Sequence, residues 1–184
     1  QIIGEHDGLI IRSDTKVTAK VLSRPGRLKA IARAGVGIDN VDVPQATRKG
    51  IIVMNTPGGN TLSAAEHTMA LILASSRNVV SACNSLKGGA WDRKKYTGNQ
   101  LKNKVLGLIG LGRIGMAVAQ MAKGFNMKIL GHDPFAAPLD AEKLGIEVAN
   151  DVTRIFKEAD FISVHVPKNE QTLNMIGAEQ IRIM

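Results

Sequence analysis

Three glycines within six positions, Gly110-x-Gly112-x-x-Gly115, directly follow the apolar run Val105-Leu106-Gly107-Leu108-Ile109. No other stretch limits the fold so tightly. The apolar run reads as a buried strand, and after the glycines Ile114, Val118 and Met121 recur at the three- and four-residue spacing of one helix face. Gly110 permits the tight turn between the two, Gly112 lets another group approach the backbone, and Gly115 lets helix lie close on strand. The amides of Arg113 and Ile114 then stand at a helix N-terminus, where free N–H groups and the helix dipole favour a phosphate. A second strand over Met127–His132 runs into Asp133, 18 residues after Gly115. That is close to the spacing of about 20 at which a carboxylate accepts hydrogen bonds from a ribose. Such a carboxylate repels a 2′-phosphate, so the pattern predicts NAD rather than NADP. A turn acid ahead of Pro134 is the other reading of Asp133.

Short β-branched runs recur along the chain at Leu9–Ile11, Ala30–Ala32, Ile51–Val53, Lys128–Leu130 and Phe161–Val164. Helix-length segments separate most of them, which predicts an α/β fold built on parallel sheet. The clearest break is TPGGNTLS at 56–63, and it divides the chain into segments 1–57 and 58–184. Beyond it, AAEHTMALILASSRNVVSACNSLK reads as one long helix ended by Gly88-Gly89, with Thr61 or Ser63 as its cap. Apolar residues run almost all round its middle, so burial against more than one surface is expected. A domain crossover with a dimer contact and an ordinary core helix both fit.

The chain of 184 residues is 44% hydrophobic and 22% charged, with a single cysteine, Cys83. One cysteine excludes an internal disulfide framework and fits a reducing cytoplasm. No apolar stretch reaches the roughly 18–20 residues a membrane helix needs, and the first residues do not read as a signal peptide. A net charge of +8 raises the question of anionic partners, but aromatics are only 3%, leaving few rings for bases to stack on. The basic residues are dispersed, Arg93-Lys94-Lys95 being the densest run. They read as a solvated surface with sites for small anions, not as a nucleic-acid or membrane partner.

The segments DGLIIRSDTKVT, IARAGVGIDNVD, ATRKGIIVMNTPGGNTLSAAEHT, GAWDRKKYTG and HVPKNEQT occur in this order around GLGRIG. In combination they resemble the D-2-hydroxyacid dehydrogenases over nearly the whole chain. The resemblance implies part of a flavodoxin-like substrate domain and an incomplete Rossmann-type sheet, with at least a dimer (homodimer or homotetramer). It implies NAD as cofactor and oxidation of 3-phosphoglycerate to 3-phosphohydroxypyruvate, which opens serine synthesis. It places Gly35 and Val36 near substrate carboxylate and nicotinamide, Arg12, Arg33 and Arg93 on the anionic substrate, and Asn60 in the cleft. On the cofactor side it places His165, Val166, Pro167 and Thr172 along the adenosine, beside the Gly110–Gly115 turn, Asp133 and Pro134. A phosphorylated hydroxy acid carries about three negative charges, which guanidinium groups meet in bidentate fashion. Arg12 and Arg33 also read as strand-end surface charges, Arg93 as part of a solvated run, and His165, His67 and Trp91 as packing residues. Two other readings remain: a reductase for glyoxylate, hydroxypyruvate or another 2-hydroxy acid, and a non-enzymatic NAD-sensing protein.

Two departures from the family pattern bear on activity. The family's opening strand and helix have no counterpart here, and no position matches its catalytic arginine, acid and histidine base. Only three strands are legible after the long helix, where a full dinucleotide fold has about six. The expectation is therefore a fragment that holds the cofactor without turning over substrate.

Overall fold

In the computed structural model, which describes residues 2–135 and 138–184, the chain divides into two units, Gln1–Asn60 and Thr61–Met184. The first unit is a three-stranded parallel sheet of β1 (Gly8–Ile11), β2 (Ala30–Arg33) and β3 (Ile52–Asn55), in that order. Helix α1 (Val43–Arg48) is capped by Asp42, whose carboxylate accepts the Gln45 N–H. Ile11, Val17, Leu22, Ile31, Ala46 and Ile51 form the buried centre of this unit.

In the second unit four parallel strands lie in the order β6 (Glu147–Val148), β5 (Lys128–His132), β4 (Val105–Ile109), β7 (Phe161–Val164). Counted within the unit this is 3-2-1-4, the arrangement of a Rossmann sheet at the point where strand order reverses. Alternation along β4 sends Leu106 and Leu108 to one face and Ile109 to the other. The first face carries helices α2 (Thr61–Ser76) and α4 (Arg113–Gly124) through Met69, Ile72, Val118 and Ala122. The second carries α6 (Val152–Glu158) through Ile155 and Phe156. The remaining helices of the unit are α3 (Val79–Lys87), α5 (Pro138–Lys143) and α7 (Ala178–Ile183). No helix is long and apolar enough to cross a membrane, among the described residues.

Two expectations change. The segment read as one long helix is two, because Asn78 takes a left-handed φ of 54° between α2 and α3. The cause lies downstream: Asn99 N–H donates to the Ser76 carbonyl at 2.8 Å, and Gly98 sits so close to that carbonyl that no side chain fits there. A crossing backbone takes the acceptor that a continuing helix needs. Nor is α2 buried all round; Ala65, Met69, Ile72 and Ser76 are covered while Leu62 and Leu71 are exposed. The second change is β6, a fourth strand of the unit, whose two residues carry no apolar run to betray it.

Gly107 lies where α6 meets β4. A methyl group on it would stand 2.6 Å from Ile155 Cγ2 and 2.8 Å from Ala159 Cβ. Both neighbours are fixed, so Gly107→Ala is expected to destabilise the chain by about 1–3 kcal/mol, read from chemical denaturation midpoints.

Candidate functional site: the crevice at the ends of strands β4 and β7

The glycine turn is held from three sides. Gly110 has φ of 100°, a conformation open to glycine, and its N–H donates to His132 O at 2.8 Å. A methyl on Gly110 would lie 2.6 Å from His165 O, and one on Gly115 would run into Gly110 O. These two glycines are demanded by the chain's own packing. Gly112 is different: a side chain there meets no protein atom within 4 Å, and φ is an ordinary −71°. Packing inside the chain does not demand that glycine, and the open space over its backbone leaves room for a pyrophosphate to approach. Gly112 is the N-cap of α4, with Arg113 and Ile114 in the first turn, where amides have no helical acceptor. Arg113 points to an exposed position.

Asp133 follows β5 directly. Its Oδ2 accepts the Leu111 N–H at 2.8 Å and its Oδ1 accepts the Phe135 N–H at 2.8 Å. The turn-acid reading and a place beside the glycine turn are thus both realised. Each carboxylate oxygen keeps one lone-pair site, enough to accept a ribose hydroxyl. Pro134 is exposed in the turn that follows.

His165 lies under the turn at the end of β7, its N–H donating to Ile109 O at 2.7 Å. Its Nε2 is 3.0 Å from Ser163 Oγ, and burial holds the imidazole below its ordinary value of 6.5. Val166, Pro167 and Thr172 line a cavity of about 410 Å³ beyond it. Thr172 closes this loop, donating its hydroxyl to Pro167 O at 2.5 Å and accepting the Asn169 N–H at 2.9 Å. Asn169 answers with its Oδ1, which accepts the Thr172 N–H at 2.9 Å. The sequence reading passed over Asn169; its place three residues before a threonine was the available signal.

In the first unit Arg12, Arg33, Gly35, Val36 and Asn60 line one cavity of about 550 Å³. The two arginines are not equivalent. The Arg33 guanidinium donates to Gly37 O and, at 3.1 Å, to Ser13 Oγ, bracing the Gly35–Gly37 loop. Arg12 is exposed, and its guanidinium has no hydrogen bond or ion pair among the described residues. Its backbone is anchored by Asn40, whose Nδ2 donates to Arg12 O at 2.9 Å and Thr15 O at 2.7 Å. Asn55 Nδ2 donates to Val36 O at 2.7 Å. Ser13, Asn40 and Asn55 were not singled out in the sequence, because a side chain that braces a loop leaves no periodic trace. Arg93 belongs to the second unit, on a short turn at Arg93–Tyr96. It lines a cavity there with Arg77, Leu86 and Trp91, and Trp91, expected as a packing residue, is 72% exposed. His67 is exposed on α2.

Residues 69–184 match the family model described as D-isomer specific 2-hydroxyacid dehydrogenase, NAD binding domain. The chain belongs to that family. It is 50% identical over 182 residues to the D-3-phosphoglycerate dehydrogenase of Methanocaldococcus jannaschii, covering 99% of this chain and 35% of that protein. It is 48% identical over 184 residues to a hydroxypyruvate reductase of Thermotoga maritima, covering all of this chain and 59% of that protein. Among solved structures, D-lactate dehydrogenase of Aquifex aeolicus complexed with NAD and lactic acid superposes with a TM-score of 0.89 at 32% identity. That match covers 99% of this chain and 54% of the other. The chain therefore spans about a third to three fifths of the length of these relatives, and its cofactor is NAD, as the family's domain binds.

Two outcomes test this geometry. Gly112→Ala is expected to cost about 1 kcal/mol of stability or less, the N-cap preference for glycine over alanine, while weakening NAD binding about tenfold or more, by calorimetric titration; Gly115→Ala, which runs into Gly110 O, loses more stability. The second concerns His165. An imidazole held below 6.5 stays neutral in the folded chain at pH values where the unfolded chain takes up a proton. Stability is then level above pH 6.5 and falls as pH drops from 6.5 towards the folded-state value. His165→Gln should flatten that fall when denaturation midpoints at several pH values are compared.

Proposed function

We propose that this chain is the cofactor-holding part, with a portion of the substrate-binding part, of an NAD-dependent D-3-phosphoglycerate dehydrogenase. The observation that carries the cofactor half is Gly112, a glycine that the chain's own packing does not require. The turn amides, Arg113 and Ile114 receive the pyrophosphate; Asp133 and Pro134 flank the adenosine ribose. His165, Val166, Pro167 and Thr172 line the adenosine side. In the first unit Arg12 supplies an uncommitted guanidinium for an anion, Arg33 holds the loop that presents the Gly35 and Val36 amides, and Asn60 borders the same cavity. Bound NAD supplies the hydride acceptor; the residues described here bind and orient both reactants, and His165 packs beneath the turn instead of moving a proton.

Identity to a relative named D-3-phosphoglycerate dehydrogenase at 50% supports the phosphorylated substrate, and with it a place at the start of serine synthesis. The 48% identity to a hydroxypyruvate reductase supports a second reading, in which the substrate is an unphosphorylated 2-hydroxy acid. Exposed Leu71, Val79, Val80 and Leu86 on α2 and α3 support self-association into a homodimer or homotetramer. One exposed cysteine supports a cytoplasmic setting.

Steady-state kinetics of the full-length protein decide between the two substrates. Its kcat/KM for 3-phosphoglycerate is expected to exceed that for glycerate at least a hundredfold, and Arg12→Gln to raise KM for 3-phosphoglycerate about tenfold or more. Equal kcat/KM for the two compounds selects the second reading.

A further inference from the structure

The carboxylate assigned to the ribose has another occupation. Asp133 Oδ2 accepts the N–H of Leu111, the residue between Gly110 and Gly112, at 2.8 Å. Leu111 is the centre of the phosphate-binding turn, and its side chain is 5% exposed. That side chain also occupies the space over β5: a methyl on Gly131 would stand 2.8 Å from Leu111 Cδ2 and 2.9 Å from Leu111 Cδ1. Leu111 is thus fixed by its side chain against β5 and by its amide to the acid that ends β5. The other oxygen of Asp133 is tied to its own turn through Phe135 N–H at 2.8 Å, so the carboxylate cannot rotate freely. An N–H pointing into the Asp133 carboxylate also sets the plane of the Gly110–Leu111 peptide, and so the orientation of the backbone leading to Gly112. A charge-assisted bond of this kind is about twice as strong as a neutral one.

We propose that Asp133 is a positioning residue for the phosphate-binding turn, acting on the pyrophosphate through Leu111 in addition to accepting the ribose. The proposal rests on the reading of this crevice as the NAD site. It has a consequence for cofactor choice. Replacing Asp133 to admit a 2′-phosphate releases the Leu111 amide, so such a variant loses affinity for NAD and NADP alike at the diphosphate, whatever it gains at the ribose.

The test separates the two roles by removing the ribose hydroxyls from the ligand. ADP and 2′,3′-dideoxy-ADP are titrated calorimetrically into the full-length protein and its Asp133→Ala variant, and amide hydrogen exchange of both proteins is followed by NMR. With the turn held through Leu111, Asp133→Ala weakens dideoxy-ADP about tenfold, and exchange at Leu111 accelerates while Ile129 and Leu130 in β5 keep their protection. A general loss of structure would instead accelerate all three. Dideoxy-ADP binding within twofold of the parent chain, or unchanged exchange at Leu111, overturns the proposal. Should Asp133→Ala fail to fold, Asp133→Asn, which keeps one acceptor oxygen, carries the same comparison with an expected loss of about threefold. Failure of both ligands to bind the parent chain would refute the NAD reading, while the exchange rates at Leu111 still judge the positioning role.

Discussion

The second unit turns on one close stack of backbone: His165 carbonyl under Gly110, and Gly110 carbonyl under Gly115. Neither approach leaves room for a Cβ, so strand, turn and helix meet at a distance only glycine permits. That contact fixes where α4 begins, and with it where the first-turn amides point. It also requires β7 to lie beside β4, since His165 directly follows β7 and its N–H bonds Ile109 at the end of β4. At the opposite ends of the same strands, Asp160 accepts both the Lys104 ammonium at 2.7 Å and the Val105 N–H at 2.9 Å. The Lys104 ammonium holds the Asp160 carboxyl below the usual carboxylate range, with the Val105 bond adding to it. The two strands are thus pinned at both ends.

Much of this was legible because it depends on local chemistry. Val105–Ile109 and Phe161–Val164 are strands at the bounds read from the sequence, since each is a short β-branched run bounded by turn residues. The roles of Gly110 and Gly115 follow from a turn and a close approach that the motif itself encodes. What escaped was set by distant backbone. The break at Asn78 is imposed by residues 97–99, about twenty positions away, and periodicity within the helix carries no sign of it. Strand β6 pairs through only two exposed residues, Glu147 and Val148, too short a stretch for its single β-branched side chain to mark a strand.

The candidate site shows the same division. Arginine types and their positions at strand ends pointed to anions, but not to the difference between Arg12 and Arg33. Arg33 is turned inward onto Gly37 and Ser13 because the Gly35–Gly37 loop folds back over it, a fact of loop geometry rather than of composition. Likewise the reading of Asp133 offered ribose partner or turn acid as alternatives. Its two oxygens accept from Leu111 and Phe135, which realises the turn acid, and each keeps a lone pair with which a ribose hydroxyl is compatible.

Strand order carries a consequence for how the crevice comes into being. The Lys104–Asp160 pair joins residues 56 positions apart, and the β4–β7 pairing beside it spans a similar stretch, whereas β4 and β5 are neighbours in the chain. Closing the longer loop costs more conformational entropy, and its return comes only when β7 is in place. His165 follows that last strand directly, and its carbonyl packs under Gly110. On the NAD reading proposed above, a dinucleotide seated on this turn would recognise only molecules in which the sheet has closed, so its binding free energy would be delivered to the β4–β7 pairing. Saturation with cofactor would then act as a clasp on the strand that the chain must travel furthest to place.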